Sequence, residues 1–143
     1  MLQHQIFGPM FALMLLTFAV WVLMYLRRRA FVIANKIPLR DIATPESLGR
    51  TLSEQANSPG NNFRNLCELP VLFYAICFYI YAVAQVDTAY LLLAWSFFAL
   101  RVVHSFIQCT SNRVSRRLLF YALSSLALWL MIGRAAIAWL MGE

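Results

Sequence analysis

The chain has 143 residues, of which 62% are hydrophobic and 13% are charged, and its formal net charge is +6 at pH 7. A soluble domain of this length cannot bury so much apolar surface, because a small fold leaves a large share of its residues exposed. The composition therefore excludes a soluble globular domain and predicts a single integral membrane domain over residues 1–143. The basic charge requires no nucleic-acid partner, since basic loops beside anionic lipid headgroups account for it.

Four apolar blocks are long enough to cross the lipid bilayer, which takes about 20 helical residues. A transmembrane β-barrel would alternate polar and apolar residues, and these blocks do not alternate. We therefore predict an all-α membrane protein with a bundle of four transmembrane helices. The predicted helices cover residues 6–26, 63–86, 88–108 and 117–140, with a polar loop over residues 27–62.

The basic residues mark one side of this bundle. The run Arg27–Arg29 ends the first block, and three arginines between residues 113 and 117 separate the third block from the fourth. The segment around Asp87, between the second and third blocks, carries no basic residue. The positive-inside rule therefore predicts cytoplasmic first and third loops, with both termini outside. The run of arginines also indicates a stop-transfer anchor rather than a cleaved leader.

Local signals predict smaller features of the chain. Thr44 followed by Pro45 predicts the start of a short helix that runs to about Ala56. The segment 58–62, Ser-Pro-Gly-Asn-Asn, predicts a turn before the second span. Arg134, near the end of the fourth block, is expected to extend toward the outer membrane interface.

Polar side chains recur at helical spacing inside the second, third and fourth blocks. Residues three or four positions apart share one helix face, so each group forms a stripe. The stripes contain Arg64, Asn65 and Glu68; Arg101, His104 and Gln108; and Arg113, Arg117 and Tyr121. All three lie toward the cytoplasmic ends of their helices. We expect them to converge, because ionisable groups at membrane depth face the protein interior or a wet cavity.

A pocket of this composition suits an anionic ligand that also carries an amine. Arginine binds carboxylates through two parallel hydrogen bonds, and Glu68 can receive an ammonium group. Simpler interpretations remain open for each stripe. The arginines at 113–117 can act as topology determinants, Glu68 and Arg101 can form a structural ion pair, and His104 can be a buried histidine bonded to a backbone carbonyl. No residue spacing indicates a metal site.

These motifs resemble the MAPEG family, the membrane-associated proteins of eicosanoid and glutathione metabolism. Asn65, Glu68 and Pro70 are similar to the family's Asn-x-x-Glu followed by Pro at the start of the second helix. Arg101-Val102-Val103-His104 is similar to the Arg-x-x-His of the third helix. Two positions depart from the pattern of catalytic members. Asn61 replaces a common arginine, for which Arg64 is a candidate substitute, and Gln108 replaces a common tyrosine.

The resemblance implies a bacterial-type member of the family that is similar to microsomal glutathione transferases and assembles as a homotrimer. Three glutathione sites would lie between subunits and open to the cytoplasm, and the short chain fits a bacterial inner membrane. Arg117 falls where catalytic members place the arginine that holds the glutathione sulfur, so the resemblance makes it the catalytic residue. The implied glutathione-binding residues are Arg64, Asn65, Glu68, Arg101, His104, Arg113 and Tyr121.

The expected reaction joins glutathione to a lipophilic electrophile, or uses it to reduce a lipophilic hydroperoxide. One alternative is a non-catalytic scaffold or lipid-binding protein with the same fold. A small transporter or channel is another. Binding of glutathione with formation of its thiolate separates the first possibility from the other two.

Overall fold

A computed structural model describes residues 2–142, and every regular element among them is helical. Short 3-10 helices occupy Gln3–Ile6 and Leu39–Ile42. The α-helices are α1 (Phe7–Ala34), α2 (Pro45–Thr51), α3 (Glu54–Ala82), α4 (Thr88–Cys109) and α5 (Val114–Met141). The four long helices α1, α3, α4 and α5 have the length and hydropathy of membrane spans. The predicted all-α fold with four spanning helices is confirmed.

The polar loop is shorter than predicted, because α1 continues to Ala34 and α3 already begins at Glu54. The predicted turn at residues 58–62 is wrong, since these residues are helical. Pro59 has no N–H for the carbonyl of Gln55 one turn earlier. That carbonyl instead accepts hydrogen bonds from the Ser58 hydroxyl at 3.3 Å and from Arg27 Nη1 at 3.4 Å. The helix therefore tolerates its proline because one neighbouring side chain and one from α1 bond the carbonyl that Pro59 leaves free.

The short helix α2 begins where the sequence predicts. The Thr44 hydroxyl accepts from the Ser47 N–H at 3.2 Å, and the Ser47 hydroxyl accepts from the Thr44 N–H at 3.1 Å. This reciprocal pair satisfies two backbone donors at the helix start. The helix ends at Thr51 rather than near Ala56, because Ser53 caps the next helix by accepting from the Ala56 N–H.

The core lies between the four long helices, with α4 packed along α5 and α1 along α3. Each helix contributes fully buried side chains, among them Leu13, Phe73, Phe97 and Met131. The rings of Phe73 and Phe97 stack with centroids 4.6 Å apart. We call the end of the bundle that contains Arg27–Arg29 and residues 110–113 the basic end, and the end that contains Asp87 the acidic end.

Helices α1 and α3 approach closely near the basic end, where the Arg28 side chain lies across Gly60. A Cβ at position 60 would overlap with Arg28 Nη2 and lie 3.0 Å from Cζ. The same Nη2 donates to Asn57 Oδ1 at 3.3 Å. Glycine at position 60 therefore makes room for the guanidinium against the α3 backbone.

We expect Gly60→Ala to lower the melting temperature in detergent, because the new methyl group displaces Arg28 from Asn57. Losing that hydrogen bond costs roughly 1 kcal/mol. Gly133→Ala is the matched control, since nothing lies within 4 Å of its Cβ position and alanine is favoured over glycine inside a helix. Equal melting temperatures for the two variants would contradict this role for Gly60.

At the acidic end, Asp87 connects α4 to α5. Its Oδ1 accepts from the Tyr90 N–H at 2.9 Å, which caps α4, and from Arg134 Nη1 at 2.8 Å. Arg134 Nη2 donates to Oδ2, and the guanidinium lies 4.2 Å from the centroid of the Tyr90 ring. Arg134 therefore has a carboxylate partner that the sequence analysis did not identify. The two partners are 47 residues apart in sequence, so helical spacing could not reveal the pair.

Hydrogen bonds from Arg134 and Tyr90 hold the pKa of Asp87 down at about 2, below its ordinary value of 3.8. The ion pair therefore stabilises the fold fully above the ordinary value, and this contribution is lost as the pH falls from 3.8 toward 2. Because the two side chains are each 44% exposed, we expect Asp87→Asn to cost less than about 1 kcal/mol at neutral pH.

Thermal unfolding across this pH range tests the prediction. The difference between wild type and Asp87→Asn should shrink as the solution is acidified. Asparagine still caps a helix, so Asp87→Ala should cost more than Asp87→Asn at every pH. A difference between wild type and Asp87→Asn that does not change with pH would contradict the ion-pair account.

Candidate functional site

Arg101 on α4 is the most deeply buried cation of the described chain, with 0% exposure. Its guanidinium carbon lies 5.2 Å from the centroid of the Phe97 ring and 4.8 Å from that of the Tyr121 ring. None of its three nitrogens has a hydrogen-bond partner within residues 2–142. Aromatic faces compensate a buried charge only in part, and an unpaired one is costly. The position therefore favours a nearby anion.

His104 and Arg117 lie beside the same aromatic ring. His104 is 1% exposed, and its ring centroid is 5.9 Å from that of Tyr121. Its Nδ1 has no hydrogen-bond partner among residues 2–142, so the carbonyl bond considered for it is not present at that atom. Arg117 is one helical turn before Tyr121 and interacts electrostatically with His104, as Arg101 does. Helices α4 and α5 thus bring Arg101, His104, Arg117 and Tyr121 together. We call these four residues the cationic cluster.

Arg117 is oriented by a neutral side chain. Its Nη1 donates to Asn112 Oδ1 at 2.8 Å, and Asn112 Nδ2 donates to Glu54 Oε1 at 2.7 Å. No ion pair in the described part of the chain includes Arg117. Its positive charge is therefore held in one direction without being neutralised by direct contact with a carboxylate.

A polar seam joins α3 to α4 next to this cluster. Asn65 Nδ2 donates to Gln108 Oε1 at 3.1 Å. Asn62 accepts from the Ser105 hydroxyl at 3.3 Å, and its own Nδ2 contacts Cys109 Sγ at 3.5 Å. Sequence reasoning did not select Asn62 or Ser105 as site residues. The signal was present, because each lies three residues before a residue of a predicted stripe.

The exposed face of α3 carries Arg64 and Glu68. At about 100° per residue, Glu68 projects between the directions of Arg64 and Asn65. Neither Arg64 nor Glu68 takes part in an ion pair within residues 2–142, so the ion pair of Glu68 with Arg101 that the sequence left open is not formed there. Glu68 does interact electrostatically with Arg101. It therefore lies between the cationic cluster on one side and Arg64 on the other.

Arg64 faces a cavity of about 730 Å³ that it shares with Arg28. The end of α1, the loop that contains α2, and the first half of α3 form its walls. The two guanidinium groups interact with each other electrostatically, and the Nε of Arg28 is buried without a hydrogen-bond partner among the described residues. Two like charges in one cavity, neither of them paired with a carboxylate, favour an anion there.

The structure thus divides the predicted site residues into three groups. Asn65, Arg101, His104, Arg117 and Tyr121 converge between α3, α4 and α5, with Glu68 beside them. Arg64 lies in the adjoining cavity. Arg113 is exposed at the N-terminal cap of α5 and does not line the cavity of Arg64. Within residues 2–142 no group of three or more His, Cys, Asp or Glu side chains could hold a metal ion.

Comparison with known protein families bears directly on this arrangement. The model of the MAPEG family matches residues 6–137, which include every predicted site residue. Searches of curated proteins and of solved structures gave no match. A match over nearly the whole chain, together with four spanning helices, shows that this integral membrane protein belongs to the MAPEG family, whose members take part in eicosanoid and glutathione metabolism.

Proposed function

We propose that the protein is a glutathione S-transferase or peroxidase, of the bacterial type similar to microsomal glutathione transferases, that acts on lipophilic electrophiles or hydroperoxides. One observation carries the proposal. Arg28 and Arg64 share a cavity beside the exposed face of α3, Arg101 interacts electrostatically with Glu68 on that face, and Arg117 lies in the cationic cluster with Arg101. None of these four arginines has a carboxylate partner among the ion pairs within residues 2–142. Glutathione has two carboxylates, one ammonium and one thiol, which match this distribution of charge.

In this proposal, glutathione lies along the exposed face of α3. Arg64 and Arg28 bind a carboxylate through bidentate hydrogen bonds, and Glu68 receives the ammonium. Asn65, whose amide is held by Gln108, bonds a peptide group of the ligand. His104 and Tyr121 line the inner wall, and Arg101 acts through its charge, because the Tyr121 ring covers it in this conformation. Arg113 would contact only the outermost part of the ligand.

The thiol would lie beside Arg117. A free cysteine thiol has a pKa of about 8.5, so little of it is ionised at neutral pH. A fixed guanidinium within hydrogen-bond reach favours the thiolate, and each pKa unit corresponds to about 1.4 kcal/mol. The thiolate then either adds to an electrophilic carbon to form a thioether or attacks a hydroperoxide oxygen. The attack releases an alcohol and leaves a sulfenic acid, which a second glutathione converts to a disulfide and water.

A second copy of the chain is needed to cover this site. Arg64 and Glu68 are exposed within a membrane-spanning helix, and lipid cannot solvate such groups at low cost. A homotrimer in which a neighbouring protomer covers the α3 face would enclose glutathione between subunits. A lipophilic co-substrate would enter from the bilayer. By the positive-inside rule the basic end is cytoplasmic, so both termini lie outside, and we assign the protein to a bacterial inner membrane.

Titration of the detergent-purified protein with glutathione tests the proposal. We expect saturable binding together with ultraviolet absorbance of the thiolate at neutral pH. S-methylglutathione is the matched control, because it keeps both carboxylates and the amine but cannot ionise at sulfur. It should compete with glutathione for the site and produce no thiolate signal. No saturable binding of either compound would refute the proposal.

A non-catalytic scaffold or lipid-binding protein is the second candidate, and a specific observation favours it. Arg101 is 0% exposed and His104 is 1% exposed, so neither side chain is open to a ligand at the surface of the protomer in this conformation. Saturable binding of glutathione without thiolate absorbance would support this candidate.

A further inference from the structure

Two cavities meet at the seam between α1 and α4 near the basic end. One has a volume of about 370 Å³ and runs between the two helices, and the other has a volume of about 480 Å³ and lies between the end of α1 and the start of α3. They share Arg27, Cys109 and Thr110 in their linings. We treat them as one cleft with two compartments, and Arg27 stands at the junction.

The compartments differ in chemistry. The smaller is lined by apolar side chains of both helices, including Leu16, Val20 and Phe106. The larger adds the hydrogen-bonding side chains of Asn35, Ser53 and Gln55. Along α1, the apolar part extends from Leu16 to Arg27, about 16 Å at the helical rise of 1.5 Å per residue. That is about half of the ~30 Å hydrocarbon thickness of a bilayer, so the apolar compartment spans one leaflet.

Arg27 is fixed at the junction. Its Nη1 donates to the carbonyl of Cys109 at 2.8 Å and to that of Gln55 at 3.4 Å. The Cys109 carbonyl belongs to the last turn of α4, and the Gln55 carbonyl of α3 is the one that Pro59 cannot bond. Arg27 of α1 therefore has a structural role, because it connects α1 to both α3 and α4. Both bonds come from one nitrogen. Within residues 2–142, Nε and Nη2 make no recorded hydrogen bond and Arg27 forms no ion pair.

We propose that this cleft binds an anionic glycerophospholipid. One acyl chain occupies the apolar compartment, and the phosphate accepts hydrogen bonds from the two remaining nitrogens of Arg27, Nε and Nη2. The larger volume of the polar compartment favours a glycerophosphate headgroup over a fatty-acid carboxylate, which would leave most of it unfilled. The site is separate from the proposed glutathione site, because its lining includes none of the residues assigned to glutathione.

The test measures which lipids remain bound after reconstitution into nanodiscs that contain equal amounts of phosphatidylglycerol and phosphatidylcholine. We expect wild type to release about one tightly held phosphatidylglycerol per protomer in native mass spectrometry. Arg27→Gln keeps a hydrogen-bond donor at this position but removes the charge. It should weaken this binding about tenfold or more, because the hydrogen bonds to the phosphate lose the charge that strengthens them.

Arg29→Gln is the matched control, because this neighbouring arginine is exposed and lines neither compartment. Ala19→Phe provides a second variant that keeps Arg27 but fills the apolar compartment from an exposed position, and it should also lose the bound lipid. The inference is overturned if the two glutamine variants retain equal amounts of phosphatidylglycerol. It is equally overturned if the wild-type protein retains as much phosphatidylcholine as phosphatidylglycerol. Copurification of a free fatty acid in place of the phospholipid would also overturn it.

Discussion

Arg117→Ala is expected to lower glutathione-dependent turnover about 100-fold, the usual cost of removing one donor to a developing or fixed anion. Glutathione affinity should fall much less, because a carboxylate and the amine of the ligand bind to Arg28, Arg64 and Glu68 on α1 and α3 instead. Thiolate absorbance at neutral pH should disappear. It should return at higher pH, because without the guanidinium the pKa of the bound thiol rises toward about 8.5. Turnover with a model electrophile and the pH dependence of the absorbance measure both effects.

Arg116→Ala is the control for this prediction. Arg116 is the exposed neighbour of Arg117 and has the same charge, so it reports any general effect of charge at the basic end. Arg117→Lys should recover part of the thiolate signal, because an ammonium is a cation but does not reproduce the geometry of the guanidinium. If Arg117→Ala binds glutathione, turns over at the wild-type rate and keeps the pH profile, then Arg117 does not stabilise the thiolate.

Arg101→Met is expected to separate function from stability. The Arg101 side chain has 0% exposure and no hydrogen-bond partner among residues 2–142, so methionine removes from the core a charge that aromatic rings compensate only in part. Replacing buried charges with apolar groups of similar volume is often neutral or stabilising. We expect an unchanged or higher melting temperature and glutathione binding that is about tenfold weaker or more, because a cation acts strongly through a medium of low dielectric constant.

The competing interpretation is a structural pair between Arg101 and Glu68, which interact electrostatically although they form no direct contact. Glu68→Gln distinguishes the two. If the pair stabilises the fold, both single variants lower the melting temperature and the double variant lowers it no further. If Glu68 binds the ligand amine, Glu68→Gln weakens glutathione binding and leaves the melting temperature unchanged. A marked loss of stability in Arg101→Met would therefore contradict the functional role.

Structural features that depend on residues close together in the sequence were predictable. Hydropathy blocks located the four spans because each helix satisfies its own backbone hydrogen bonds in lipid. The pair Thr44 and Pro45 located the start of α2 for the same local reason. The start of α3 was not predictable in this way. Pro59 and Gly60 indicate a turn, and the helix persists there because Arg27 and Arg28 of α1 contact residues 55–60.

In the candidate site, too, the sequence predicted what depends on one helix and missed what depends on contacts between helices. Helical spacing identified which polar residues share a face, and hence the stripes that contain Asn65, Glu68, His104 and Arg117. It could not give the rotation of one helix against another. That rotation turns Asn65 toward Gln108, directs Arg64 into the cavity with Arg28, and covers Arg101 with the ring of Tyr121. The ion pair of Asp87 with Arg134 was hidden for the same reason.

The sequence by itself determined the class of protein, the number of its spans, the MAPEG family motifs and the residue types available for binding an anion. These depend on hydropathy and on the helical period, both of which are read along the chain. The tertiary structure alone decided which of these charges remain unpaired and which cavities they face. Such pairings arise from contacts between helices that are distant in sequence, where packing of apolar side chains fixes how each helix is turned.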